Sequence, residues 1–338
     1  MNRSPSKPRK ELDQFAAWEV GQQLLLWGPL VLGAIVALVS GLFLSLTAQV
    51  KAARSREVVV YCAQDQVYAE PLLSEFSSQT GIKVRALYDN EAVKTVGLAN
   101  RLLAEREHPQ CDVFWGNEEL RTRHLAARSV FRATNAWASV GYRSRRLVVN
   151  TNALALVRAP RAWLELTNVA WRGRVALAYP LFGSTATHFL AWRQQWGTAR
   201  WEVWCRALAA NRPLLVDGNS VAARLVARGE AWVGLTDSDD IAAEQRQGAP
   251  VVGLPLTEDS LLLPNTVAVV RAAPHAIAAQ RLFEFLQTPT VRERLVAAHA
   301  LESTNPPPEP VRTLRPDWDA LLRDLDAGTA KLREVFLR

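Results

Sequence analysis

VGYRSRRLVVN, from Val140 to Asn150, is the stretch whose reading decides the fold. Polar and apolar residues alternate along it, which predicts one long strand. Strand and helix signals alternate before it and start afresh after it, so the strand reads as a crossover between two lobes. Upstream, EVVVYCA (Glu57 to Ala63) is a strand, Val67 to Thr80 a helix with Gly81 at its stop, and IKVRALY a second strand. Glu91 to Glu107 repeats Val93, Val96, Ala99, Leu102 and Leu103 at helical spacing, and CDVFWG is the third strand. Downstream come a strand at 174–178, a helix from about Ser184, a Trp-rich helix from Thr198 to Ala210, and PLLV. A helix from Ser220 to Arg228, then AWVGL, VVGLPL and NTVAVV (265–270), extend the series. Helices at 275–287 and 290–300 follow it. After the break NPPPEP, 318–337 reads as an amphipathic helix. Such alternation is the signature of α/β layering with mostly parallel strands. No internal repeat is visible.

The 338 residues fit about two domains. With 49% hydrophobic and 22% charged residues, the balance excludes disorder and fibrous repeats. The net charge is +7, but the 34 Arg and six Lys are dispersed among acids, which argues against a nucleic-acid surface. Cys62, Cys111 and Cys205 form no CxxC and read as buried apolar fillers. G-x-S-x-G, Walker A, H-E-x-x-H and dinucleotide glycine patterns are all missing, so no enzyme class is indicated.

LLLWGPLVLGAIVALVSGLFLSL, Leu24 to Leu46, runs 23 residues without a charge, enough to cross roughly 30 Å of hydrocarbon. It exceeds the usual apolar core of a cleaved signal peptide, and LTAQVKAA is a poor cleavage site, so it reads as an uncleaved anchor. The flanking cations, Arg3, Lys7, Arg9 and Lys10 against Lys51, Arg54 and Arg56, favour a cytoplasmic N-terminus only by four to three.

The runs VVVYCAQDQVYAEPLLSEFSSQTGIKV, CDVFWGNE, VGYRSRRLVVNT, WRGRVALAYPLFGSTATHF, VDGNSVAARLVARGEAWVGLTDSDD and LLPNTVAVV, then AAQRLFEFLQTPTVRERL, together resemble the class II extracellular solute-binding proteins of ABC importers, ferric-iron-binding branch. The likeness covers about 57–301. It implies the two-lobed α/β periplasmic-binding-protein type II fold with crossing hinge strands and a return of the chain to the first lobe. The division expected is a cytoplasmic tail at 1–23, an anchor at 24–46, lobe 1 at 56–145 plus 262–338, and lobe 2 at 146–261. An extracytoplasmic place for the binding lobes is implied too. The anchor would then be a single pass in the inner membrane, with an ABC permease and its ATPase as partners and no nucleic acid.

Candidate site residues lie where strands end, since ligands of open α/β sheets gather outside those ends. Gly183, Ser184, Thr185 and Thr187 follow a strand and open a helix, where free N–H groups and hydroxyls suit an anion, although Ser or Thr there also serves simply as a cap. The resemblance implies a carboxylate, phosphate or carbonate at that helix start. His188 reads as a packed helix residue rather than a ligand. Asp237, Asp239 and Asp240 follow AWVGL and offer hard oxygen to a metal or an amine, or are capping acids favoured by the next helix. Ferric-binding relatives that use protein ligands carry adjacent tyrosines in this loop, and this chain has none. In the first lobe Asp65, Asp89 and Glu91, and Asn117 and Glu118 follow strands one, two and three; each alone also suits a helix cap. Trp115 lines the cleft or fills the core, and Asn219 reaches ligand or serves as a turn residue.

The reading is a membrane-anchored solute receptor without a cofactor, in which Ser184, Thr185 and Thr187 hold the anionic part of the ligand and Asp237, Asp239 and Asp240 its cationic part or a metal. Iron(III) or another metal, or a small anionic or zwitterionic molecule, would be the ligand. An anchored sensor or assembly protein and, behind it, a metal-dependent hydrolase are the alternatives.

Overall fold

The computed structural model describes residues 32, 36, 38–43, 45, 56–88, 94–132, 137–306 and 312–337. Residues 1–54 and 55–338 form separate units. In the first, the described residues are helical and their large apolar side chains, Leu38 and Leu42 among them, are exposed. Among the described residues no helix is long and apolar enough to cross a membrane. The anchor expected at 24–46 falls mostly outside them, as do Asp89 and Glu91.

In the second unit, β1 (Glu57–Cys62), α1 (Gln66–Thr80), β2 (Lys83–Tyr88), α2 (Lys94–Ala104), β3 (Val113–Gly116) and α3 (Glu119–Ala127) build the first lobe. β1 lies between β2 and β3, parallel to both. α1 ends where the sequence predicts: Gly81 takes φ +68° and returns its N–H to the Ser77 carbonyl. β4 (Ala138–Asn150) then leaves the lobe, and β5 (Val175–Ala178), α4 (Gly183–Trp196), α5 (Thr198–Ala210), β6 (Leu214–Val216), α6 (Asn219–Ala227), β7 (Val233–Asp237), α7 (Ser238–Arg246) and β8 (Val251–Gly253) make the second. β9 (Leu262–Val269) carries the chain back, followed by α8 (Ala276–Gln287), α9 (Pro289–Ala297) and α10 (Trp318–Phe336).

The strand order is β2-β1-β3-β9-β4-β7-β5-β6, with β8 also on β4. β4 is the long crossover expected, and its register shows where it changes sheet partner. Ser144 is its last residue paired with β9, opposite Leu262, and Arg145 is its first paired with β7, opposite Asp237. Ladder hydrogen bonds therefore hold β4 to one lobe up to Ser144 and to the other from Arg145 onward.

The first-lobe sheet is covered by Leu72, Leu73 and Phe76 of α1 with Leu282 and Leu286 of α8 on one side, and by Leu98 and Leu102 of α2 on the other. Trp115 is fully buried on the first of these sides, which settles it as core. The second-lobe core is aromatic: Trp163, Trp192, Trp201, Trp204 and Phe189 pack together. Leu321, Leu325, Leu332 and Phe336 of α10 join this aromatic core, so residues 318–336 pack with the second lobe although α8 and α9 belong to the first. The apolar stripe of α10 is buried there, and each such side chain contributes about 1.5–3 kcal/mol. Gly328 allows the close approach, because a methyl group there would overlap Leu190 of α4.

Candidate functional site

Three strand-to-helix junctions meet beside the hinge. β5 leads into α4, the turn after β6 into α6, and β7 passes directly into α7, with Asp237 as the last strand residue and Asp239 and Asp240 in the first helical turn. Strands bring the chain to the lobe edge, and each helix start leaves backbone N–H groups unpaired there.

Two arginines of β4 occupy the middle. Arg145, fully buried, donates from Nη1 to Asp237 Oδ1 at 2.7 Å and to Asn219 Oδ1 at 2.8 Å. Arg143 bridges from Nη1 to Asp239 Oδ2 at 2.7 Å, from Nη2 to Asp237 Oδ2 at 3.2 Å, and from Nη2 to the Asn117 carbonyl at 3.0 Å. Around them, Ser184 Oγ donates to Asp237 Oδ2 at 2.9 Å, Thr185 Oγ1 to Asn219 Oδ1 at 2.9 Å, and Asn219 Nδ2 to Ser184 Oγ at 2.8 Å. Thr236 Oγ1 donates to Asp240 Oδ2 at 2.8 Å.

First-lobe residues close the cluster. Glu118 is buried and caps α3, accepting the N–H groups of Leu120 and Arg121 at 2.8 and 3.1 Å. Thr187 Oγ1 of the second lobe lies 3.2 Å from its Oε2. Asp65 stands just before α1, and its charge is felt by Asp239 and Asp240. Gly183 is the first residue of α4, at φ +52°, with its carbonyl accepting from Thr187. Asn117, Glu118, Gly183, Ser184, Thr185, Thr187, Asn219, Asp237, Asp239 and Asp240 are thus brought into one neighbourhood, while Asp89 lies outside the described residues.

Each carboxylate titrates differently. Burial would push the Asp237 carboxyl up, but Arg143 and Arg145 outweigh it and hold it below the usual range. Burial, against the pull of Arg143 and with the neighbouring Asp237 and Asp65 charges, raises Asp239 to about 6. Burial, with the neighbouring Asp239, Asp237 and Asp65 charges, pushes the Asp240 carboxyl well above its ordinary value. Burial opposes the charge of Arg143, yet Asp239 and Asp237 bind it more firmly than usual.

One ligand atom from each of Asp237, Asp239 and Asp240 lies within 4.8 Å of the others, near enough to share a metal. Asp237 and Asp239 are already engaged, however, by the guanidinium groups of Arg143 and Arg145, which sequence analysis gave no role. The only signal was their i, i+2 spacing on a strand, which puts Arg143 and Arg145 on one face.

The sequence profile of the bacterial extracellular solute-binding proteins matches residues 58–299. An uncharacterized protein of Haemophilus influenzae is 26% identical over 238 residues, which cover 63% of this chain. The match spans just under two thirds, 66%, of that relative's length. Among solved structures, iron-bound HitA from Pseudomonas aeruginosa superposes with a TM-score of 0.71 at 19% identity, covering 82% of this chain and 99% of that one. AfuA from Actinobacillus pleuropneumoniae, with exogenous fructose-6-phosphate bound, gives 0.71 at 19% identity, with coverage of 83% and 98%. These likenesses share the two-lobed fold, one with a metal bound and one with a sugar phosphate. With the profile covering most of its length, the chain belongs to the bacterial extracellular solute-binding proteins, which bind solutes and are not enzymes.

Proposed function

We propose that the chain is the membrane-anchored receptor of an ABC importer and that its cleft takes a small organic solute through an anionic group. The observation that carries the reading is the pair of buried arginines, Arg143 and Arg145, set against the start of α4 with its Ser184 and Thr185 hydroxyls. A helix start and two guanidinium groups raise the local potential, and such donors suit carboxylate or phosphate oxygens. Asp239 and Asp65 give the same cleft an acidic side, which accommodates an amine or hydroxyl on the solute. The lobes are joined by the crossing strands β4 and β9, and a solute touching both favours the closed arrangement by the difference in its affinity for the two. The exposed apolar side chains of the described helical residues between 32 and 45 support a bilayer anchor at 24–46. Tethering would hold the receptor at high local concentration beside its permease and ATPase.

Iron(III) is the second reading, favoured by the three clustered carboxylates. Against it stand the missing tyrosines and the two fixed positive charges. At an effective dielectric of about 20, a trivalent ion about 5 Å from a guanidinium is repelled by about 10 kcal/mol, as much as one ionised carboxylate at that distance attracts it, so the two arginines cancel two of the acids. Asp240, whose carboxyl is pushed well above its ordinary value, is the least ready of the three to add negative charge.

The test is calorimetric titration of the full chain, purified in detergent, with inorganic phosphate, a sugar phosphate and iron(III) citrate. Saturable binding of a phosphate or carboxylate compound, lost in Arg143→Met, is the expected result. Binding of iron(III) that survives Arg143→Met and is lost in Asp239→Asn would replace the anion reading with the metal one.

A further inference from the structure

One turn beyond Ser184 on α4 stands His188, which the solute contacts proposed above leave unused. It is fully buried, with its ring 4.0 Å from that of Trp192 and 4.8 Å from that of Trp163. Nε2 lies 2.8 Å from the carbonyl oxygen of Asp259, which also accepts the Trp192 indole N–H at 3.0 Å. The Trp196 indole reaches the Asp259 carboxylate at 3.3 Å. A carbonyl only accepts, so Nε2 carries the proton and Nδ1 presents a bare lone pair. Asp259 lies on the segment between β8 and β9 that returns the chain to the first lobe. Two residues on, the Leu261 carbonyl accepts the backbone N–H of Arg145 at 2.8 Å.

Nδ1 of His188 is buried and has no hydrogen-bond partner among the described residues. Nε and Nη2 of Arg145 are in the same condition, because only Nη1 of that side chain is spent on Asp237 and Asn219. Ser184 and His188 are i and i+4 on one helix face, and Ser184 bonds the same Asp237 carboxylate as Arg145 does. Helix α4 and the returning segment at 259–261 thus each connect to both residues. Burial, reinforced by the Arg145 charge, pushes the imidazole well below its ordinary value, which keeps it neutral. One acceptor without a donor and two donors without an acceptor, in one buried neighbourhood, are complementary, and buried polar groups are rarely left unpaired.

We propose that His188 is a positioning residue for the solute site: its bare Nδ1 accepts from the Arg145 guanidinium through one enclosed water, while Nε2 ties the same helix to the returning segment at Asp259. The inference rests on the anionic-solute reading for its effect on affinity. The His188–Arg145 contact itself does not depend on that reading.

Asn at 188 presents an acceptor near the position of Nδ1, and Leu presents none. Trp192→Phe removes the other donor to the Asp259 carbonyl and leaves Nδ1 untouched. With inorganic phosphate as the probe on the full chain, His188→Leu should weaken binding about tenfold to a hundredfold, the size of a lost hydrogen bond to a charged group. His188→Asn and Trp192→Phe should each stay within about threefold. Equal losses in His188→Leu and Trp192→Phe, with no rescue by Asn, would reduce His188 to a structural anchor and overturn the proposal. Should His188→Leu fail to fold, 15N spectra of histidine-labelled wild type and Arg145→Lys decide the matter without any solute. The Nδ1 resonance of His188 should be that of an unprotonated nitrogen and should move on substitution of Arg145. A resonance that does not move overturns the contact. Failure of phosphate to bind the wild type, with the resonance still moving, would instead count against the anionic-solute reading alone.

Discussion

The two faces of the crossing strand β4 carry the same side chain to opposite ends. On one face Arg143 and Arg145 are buried and bound to Asp237 and Asp239. On the other, Arg146 remains about a quarter exposed, pairing with Glu302 of the first lobe at 2.5 Å and with Ser144 Oγ at 2.9 Å. It lines a cavity of about 430 Å³ between α7 and the residues after α9, with Ile241, Gln245, Val296 and Leu301 on its walls. Side chains alternate along a strand, so a shift of one residue moves an arginine from the cleft to the outer side of the hinge. Burial then sets the energetics. A charge withdrawn from water depends on its partner, whereas a half-solvated pair is nearly balanced by hydration.

The largest effect that would break this contrast is at Asp237. Asp237→Asn leaves Arg145 with its charge uncompensated in the interior, a loss of about 3–5 kcal/mol for one partner of a buried pair. Thermal unfolding should show a fall of many degrees, and a fall as small as that of an outer-face variant would mean that the inner pair is solvated after all.

A smaller and pH-dependent effect belongs to Asp239. Its carboxyl is raised to about 6 in the folded chain, above its unfolded value, so the folded state binds the proton more tightly. The contribution of this group is therefore most favourable below about pH 4 and is lost as pH climbs to about 6. Raising a carboxyl from about 4 to about 6 is worth on the order of 2–3 kcal/mol. Unfolding midpoints for wild type and Asp239→Asn should diverge over that window, with the variant gaining on wild type as pH rises. Parallel curves would place the proton elsewhere in the cluster.

Least is expected on the outer face. Glu302→Gln removes a pair exposed by 23% and 30% on its two sides, worth about 0–1 kcal/mol. Its unfolding midpoint should stay within a few degrees of wild type, and its affinity for an anionic solute should be unchanged. A large loss of affinity would show that the outer pair controls the lobe angle and so the cleft.

Much of this arrangement was legible beforehand. The alternation in VGYRSRRLVVN marked β4, the Gly81 stop marked the end of α1, and GSTATH after a strand marked the start of α4. The acids of TDSDD were rightly placed at a strand end. They looked like an open cation or metal site because their partners lie about 90 residues earlier in the chain. Glu118 read equally as ligand or cap, and the structure uses its carboxylate as a cap that also meets Thr187. The C-terminal helix was legible as a helix, but its stripe of Leu321, Leu325 and Leu332 fits any apolar surface, and only packing assigned it to the Trp-rich lobe.

The sequence by itself determined the strands, the helices and their order, because local periodicity, caps and stops are written in neighbouring residues. It also determined which chemistry was at hand: hydroxyls and acids at strand ends, and no tyrosine pair beside them. Only the tertiary structure decided the charge of the site. Arg143 and Arg145 become its fixed cations, and Arg146 a strut at the hinge, because pairing in the sheet sets which face each one occupies and burial sets which ion pair cannot be given up.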